Sequence, residues 1–261
     1  MSNLLILDPI DLASGWITAS HEVAGFPATN VIHNQPLVVW KASSGATYNL
    51  TIDLQADTPI DTVYLGYTNA AASTTWQIVG ATAAQGTAYL TNPGAVMMAT
   101  ATLRASEALG PYYHAFWTGT SKTVRYLRLI VTHSGEFSAG RLLIGSAWRP
   151  TWNYEWEAGR GVVDTSLKER LRGGNLDIDE RGIVAEWTMA LGDLTDAEVR
   201  ALWKIKKQHG ESRPLLLCED PDSGVAGLNE RLHYGVFKEL TRYSRTAPDK
   251  VRWEMTVEDW L

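Results

Sequence analysis

The sequence predicts a mainly β chain in two parts: a β-sandwich in the first half, and a β-barrel or α+β domain with a long hairpin and one helix in the second. Three observations predict this. Short runs rich in Thr, Val, Ile and Tyr, broken by Gly, Pro, Asn and Ser, fill residues 1–148, which is the signature of many short antiparallel strands. Charge density then steps up. Residues 1–148 carry 6 Lys/Arg and 8 Asp/Glu, whereas 149–261 carry 17 and 21 in a shorter stretch, so two cores with different surfaces are expected, 1–148 and 149–261. Lastly, helix signals gather in one place, near Thr195.

In the first half, Tyr48 to Leu54 alternates with period two and Pro59 is expected to start the next element. Thr62–Tyr67, Thr75–Gly80 and Tyr113–Trp117 read as further strands. In Val124–Val131 the apolar Val124, Tyr126, Leu127, Leu129 and Val131 leave Arg125 and Arg128 nearer the surface, and Arg141–Gly145 closes the domain. Asp53 and Asp61 read as strand-end or turn residues. The chain has eleven Trp. Most are expected as anchors in β cores, although Trp16, Trp40, Trp76 and Trp117 are also available to stack on a sugar.

The segments Ala28-Thr29-Asn30-Val31, Trp40-Lys41-Ala42-Ser43, Leu50–Leu54 with Ile60–Val63, Val124–Leu129 and Gly140–Gly145 occur in an order that resembles the discoidin-like, galactose-binding jelly-roll superfamily, over about residues 10–148. The resemblance implies a jelly roll whose loops at one end bind sugars, lipids or proteins in many members. It also implies a calcium site in the loop before the first Trp. Here that loop, Ile32–Leu37, has no carboxylate, and hard cations prefer carboxylate and carbonyl oxygens. No metal is therefore expected. Asn34 and Gln35 are the carbohydrate-contact candidates, weighed against simple turn formation at Asn-Gln-Pro.

Trp148-Arg149-Pro150 marks the junction, because Pro150 restricts its neighbours and suits a short, stiff connection. After it, Asn153–Glu157 reads as a strand. Val162–Leu167 and Leu176–Asp179 are expected to flank a charged hairpin tip at 168–175, and Ile183–Leu191 to form the most apolar strand of this half. Thr195 and Glu198 make a capping-box pattern, so a helix is predicted over about 195–209, with Val199, Leu202, Trp203 and Lys206 on one face, Ile205 beside them and Gly210 as the stop. Pro214–Cys218 reads as a buried strand with Cys218 as a packed thiol. Glu219–Gly224 reads as a loop with Asx turns, Tyr234–Phe237 and Lys250–Val257 as the last strands.

Trp187–Leu191, the helix, Arg213–Leu217, Tyr234-Gly235 and Trp253–Glu258 together resemble the tail-tube-like barrel of bacteriophage tail proteins, in the distal-tail and tail-tip branch, over about 150–261. That resemblance implies a structural component of a phage or phage-like tail tip or baseplate, located in the virion and made in the host cytoplasm. Its partners would be copies of itself in a ring, with tube, tape-measure, hub or fibre proteins. In this reading the hairpin bridges neighbours, and Lys168, Glu169, Arg170 and Arg172 form charge pairs between subunits. The alternative is a carbohydrate-binding module that attaches to a host-cell surface.

Other classes find little support. Both halves are mildly acidic, and phosphate neutralisation needs clustered Lys/Arg. No apolar run approaches the roughly 20 residues that span a bilayer. The start of the chain lacks a basic n-region, and one Cys excludes an internal disulfide. Patterns for serine hydrolases, zinc proteases, phosphate loops and dinucleotide folds are absent. His21, His33, His114, His133, His209 and His233 are scattered. Neither an enzyme nor a cofactor is expected.

Overall fold

In a computed structural model of the chain, residues 4–71, 73–91, 101–102, 112–221 and 227–260 are described. The strands are β1 (Leu5–Pro9), β2 (Ile17–Ala19), β3 (Trp40–Ala42), β4 (Thr47–Thr68), β5 (Thr75–Ala81), β6 (Ala101–Thr102), β7 (Tyr113–Thr132), β8 (Phe137–Ala139) and β9 (Arg141–Trp148). After them come β10 (Gly159–Asp164), β11 (Leu167–Arg170), β12 (Leu176–Asp179), β13 (Ile183–Leu194), the helix α1 (Asp196–His209), β14 (Leu215–Cys218), the short helix α2 (Leu228–Arg231), β15 (Leu232–Phe237), β16 (Ser244–Ala247) and β17 (Lys250–Asp259). The chain is mainly β and forms two compact units, passing from one to the other between Ala147 and Trp148. Leu4–Ile6 group with the second unit, and residues 227–230 group with the first.

The first unit is organised by the pairing of β4 with β7. These strands run antiparallel over almost their full length, from Thr47 opposite Thr132 to Thr68 opposite Tyr113. Their neighbours change along the way. β2 flanks the first half of β4 and β5 the second half of β7, whereas β9 flanks the second half of β4. Register shifts at Asp53/Thr58, Ile60/Thr62 and Leu65/Thr68 supply the local bending by which one strand serves two layers of a sandwich. Tyr48, Leu50, Ile52 and Leu54 alternate inward, and they share a core with Val63, Leu65, Leu142 and Ile144.

Contrary to expectation, Pro59 does not start a new element. β4 continues through Pro59, which lies opposite Thr123, because the turning is done earlier. Gln55 adopts φ 68° and its N–H donates to Asp53 Oδ1 at 2.8 Å. The Arg125 guanidinium grips the same carboxylate at 2.8 and 3.1 Å and holds it below its usual range. Asp53 is therefore the paired residue of a bulge within a strand and not the end of one.

In the second unit, β13 and β17 pair so that Trp187 faces Val257, Met189 faces Met255 and Leu191 faces Trp253. These side chains pack with Val199, Leu202 and Ile205 of α1, Leu215 and Leu217 of β14, and Leu4 and Ile6 from the start of the chain. The β14–β15–β17–β13–β10 order with α1 on the core face is the α+β form of the predicted domain. The capping box is present: Glu198 N–H donates to Thr195 Oγ1, and Thr195 N–H donates to Glu198 Oε2 at 2.8 Å. One helical residue departs from expectation. Trp203 is about half exposed, because the buried stripe runs through Val199, Leu202, Ile205, Lys206 and His209 and Trp203 sits a step of roughly 100° beyond Leu202. Lys206 is buried as expected, its ammonium 4.6 Å from the Trp253 ring centre, and burial pulls its pKa down to about 8.

The predicted hairpin is longer than its sequence reading. Val162 pairs with Ala185 rather than with Leu176–Asp179, so β10 and β13 form the base, and β11 and β12 form the outer part. Lys168, Glu169 and Arg170 thus lie in a strand, and only Leu171–Asn175 makes the turn. Gly174, at φ 84°, closes it with its N–H on the Leu171 carbonyl at 2.8 Å, a compact reversal that leaves more residues free to pair.

A buried ionic chain ties this unit together. His233 is 3 % exposed. Its Nε2 lies 2.8 Å from Glu219 Oε1 and its Nδ1 3.1 Å from Asp259 Oδ1, while its ring stacks on Trp187 at 5.7 Å. Arg160 grips Glu219 with two bonds of 2.7 and 2.8 Å. Burial alone would lower the His233 pKa, but the two carboxylates outweigh it and raise it to about 9. For Glu219, burial is outweighed by His233 and Arg160, which hold it low; for Asp259 burial wins and raises it. A histidine raised above its unfolded value of about 6.5 adds stability that is complete below that pH and is lost as pH climbs through about 9. Urea unfolding of the second unit should therefore weaken by on the order of 3 kcal/mol between pH 6.5 and 9.5. His233→Gln should remove that pH dependence and cost about 3 kcal/mol at pH 6, both read from tryptophan fluorescence.

Candidate functional site

The first unit carries a built loop face between Ser20 and Ala46. Trp40, fully buried, donates its indole N–H to the His21 carbonyl at 3.1 Å. Asn30 Nδ2 donates to the Val39 carbonyl at 2.8 Å, and Arg141 Nη1 to the Ile32 carbonyl. The Tyr48 hydroxyl lies 2.7 Å from the Gly45 carbonyl and 2.5 Å from that of Gly135, joining two loops. Gly140 is required by close approach: a Cβ there would stand 1.9 Å from the Pro36 carbonyl oxygen. Such bracing satisfies backbone groups that a long loop otherwise leaves to water, and it presets the loop's shape.

What this frame presents is mixed. Gly25, at φ 84°, turns the chain so that Val23 and Phe26 bridge and the Phe26 ring lies at the surface. Lys41 Nζ sits 4.6 Å over that ring and 3.3 Å from Glu136 Oε1. Asn34 is exposed and Gln35 half-buried in the adjoining turn, where Gln35 N–H donates to His33 Nδ1 at 3.1 Å. Leu37 is exposed beside them. An aromatic ring, a cation and a carboxylate thus meet at the braced loop, and the turn at 34–37 of the same loop exposes an amide and an apolar side chain. Of the four Trp residues considered for stacking, Trp40 and Trp76 are committed to the core, and Trp16 and Trp117 are half-buried.

Three groups of catalytic type, His233, His114 and Cys218, are each engaged or buried. Both nitrogens of His233 face carboxylates at hydrogen-bond distance, and a pKa of about 9 keeps the imidazolium at neutral pH; a general base needs a free nitrogen. His114 Nδ1 accepts from the Tyr67 N–H at 3.1 Å and lies 2.9 Å from the Tyr64 hydroxyl, and burial lowers its pKa to about 4. Cys218 is fully buried, and burial raises its thiol to about 12, so the reactive thiolate is scarce. Among the described residues no group of three or more His, Cys, Asp and Glu is placed to hold a metal ion.

In the second unit, a cleft of about 340 Å³ is lined by Trp152, Glu155, Asp193 and Arg252 among others. Its charges are largely spent on one another or on neighbours, with Glu155–Arg252 at 2.9 Å and Asp193–Lys250 at 3.2 Å. The other notable surface is the hairpin. Lys168, Glu169, Arg170 and Arg172 are all exposed. So are Val162, Leu167, Leu171, Leu176, Ile178 and Ile183, each at least 50 %. The charged residues were visible in the sequence as candidates; the apolar ones were not, because alternation alone does not tell an inward strand from a bare one.

No family model matches the chain, and no curated protein matches it. Solved structures do. A chitosan-binding module of a chitosanase/glucanase from Paenibacillus sp. IK-5 matches with 18% identity over 52% of this chain and 96% of the module, TM-score 0.36. The lectin domain of lectinolysin, complexed with Lewis B antigen, matches with 14% identity over 54% and 99%, TM-score 0.39. Reduced XRCC1, bound to the catalytic domain of DNA polymerase beta, matches with 13% identity over 53% and 99%, TM-score 0.41.

The close approach at Gly140 makes a testable point about the loop face. Gly140→Ala should push the Pro36 segment away and cost about 1–3 kcal/mol, measured as a lower urea midpoint for the first unit, with the second unit's transition unchanged.

Proposed function

We propose that the first unit is a glycan-binding sandwich and that its loop, with Phe26, Lys41 and Glu136 at the centre of the contact and the turn at Asn34 and Gln35 as a further candidate, is the binding surface. The observation that carries this reading is the contact of an aromatic ring, a cation and a carboxylate on a loop braced from within. Sugar rings stack their C–H faces on aromatic side chains, and their hydroxyls bond to amides and charged groups, so a surface with both kinds of partner suits a carbohydrate. A preset loop loses little entropy on binding. The role is binding without turnover, at a host-cell surface. Screening on a glycan array followed by calorimetry tests it. Phe26→Ala and Lys41→Ala should each weaken the best ligand by about tenfold or more, the loss of roughly 1.4 kcal/mol. An array without signal removes the reading.

A second reading, self-assembly through the second unit, is favoured by a separate observation: six large apolar side chains stand exposed along the hairpin, four of them on the separate two-stranded β11–β12 sheet and its turn. An isolated hairpin is marginal in water, and exposed apolar rows mark interaction surfaces. In this reading the chain is a structural component of a phage or phage-like tail tip, a homo-oligomer in the virion that also meets other tail proteins. Light scattering during size-exclusion chromatography should report an oligomer for the wild type and a shift toward monomer for Leu176→Ser with Ile178→Ser. A wild-type chain that stays monomeric and joins no tail particle ends this reading.

A further inference from the structure

The hairpin's two faces carry opposite charge. In an antiparallel pair, residues directly opposite one another point to the same side, and successive residues alternate. The β11–β12 register sets Leu167 against Asp179, Lys168 against Ile178, Glu169 against Asp177, and Arg170 against Leu176. One face therefore holds Leu167, Glu169, Asp177 and Asp179. The other holds Lys168, Arg170, Leu176 and Ile178.

The acidic face is poorly arranged for a hairpin that stays alone. Glu169 and Asp177 are like charges directly opposite each other, an unfavourable cross-strand pair, and both are exposed. The basic face interleaves two cations with two bare apolar side chains. Lys168 is paired with Asp164 at 3.1 Å and, on the acidic face, Asp179 with Arg181 at 2.8 Å, so the contrast between the faces rests chiefly on Arg170 and on Glu169 with Asp177. Each face offers what the other lacks.

We propose that copies of this chain join head to tail through the hairpin, the acidic face of one copy against the basic face of the next. The occupant of each face is thus a second copy of this chain; the inference rests on the self-assembly reading and adds its polarity. Acid-to-acid or base-to-base contacts would set like charges together, so the symmetric two-fold dimer is disfavoured. A contact between two different faces repeats, giving a closed ring or a helical array according to the rotation per step. Charge pairing of this kind also makes association weaken with added salt.

A charge-swap cycle on the full chain tests the polarity. Glu169→Lys with Asp177→Lys makes both faces basic, and Lys168→Glu with Arg170→Glu makes both acidic. In sedimentation velocity each double variant alone should assemble at least about tenfold more weakly than wild type, and an equal mixture should recover assembly, because like charges across an interface repel and complementary ones do not. Circular dichroism verifies that both fold. An independent readout uses Leu167→Cys and Ile178→Cys, one on each face: oxidation should cross-link a mixture of the two and neither one alone. If wild type assembles but the swapped variants assemble equally well, or mixing restores nothing, the head-to-tail contact is wrong while self-assembly stands. If wild type never assembles, the underlying reading fails as well. Cross-linking of either cysteine variant alone would identify a symmetric contact instead.

Discussion

A protonated imidazole held between two carboxylates is the constraint on which the second unit depends. His233 on β15 meets Glu219 at the end of β14 and Asp259 on β17, and Glu219 in turn takes Arg160 from β10. Four segments far apart in sequence meet through one ionic chain stacked on Trp187. Isolated, any of these charges would be costly to bury; together they satisfy one another. Arg160 is the member with the widest consequence, because it sits at the base of the hairpin and fixes where β10 leaves the sheet.

The first unit solves a different problem by different means. Its strands are poor in charge, so it is held by apolar alternation and by one long ladder that bends to serve two layers. Two of its charged groups hold the backbone where it departs from the ladder: Asp53 with Arg125 at the bulge, and Arg141 beneath the loop. A sandwich built this way leaves its loops free to vary, and bracing from Trp40, Asn30 and Tyr48 makes one of them a defined surface.

Much of this was legible in the sequence because the signals were local. Period-two alternation marked Tyr48–Leu54 and the final strand, the Thr195/Glu198 pair marked the helix start, and three leucines before Cys218 marked a buried strand. What was not legible depended on partners distant in the chain. Glu219 looked like part of an acidic loop, since nothing nearby announces His233, 14 residues on, or Asp259, 26 residues beyond that. Pro59 looked like a break because a bulge four residues earlier that absorbs the bend has no strong sequence mark. The loop face was visible only as its turn residues, Asn34 and Gln35, whereas Phe26, Lys41 and Glu136 are brought together by folding.

Leu4 and Ile6 pack in the same core as Val251, Met255 and Val257, and the backbone N–H of Leu4 donates to Asn153 Oδ1 at 2.9 Å. This joins segments that lie far apart in the sequence. The second unit cannot complete its interior until the last strand, β17, has been made, and the intervening sandwich forms as an insertion between its two pieces. Long-range closure of this kind slows folding. It also makes the hairpin depend on that closure: a chain without β1 or β17 lacks a finished core beneath β10 and β13.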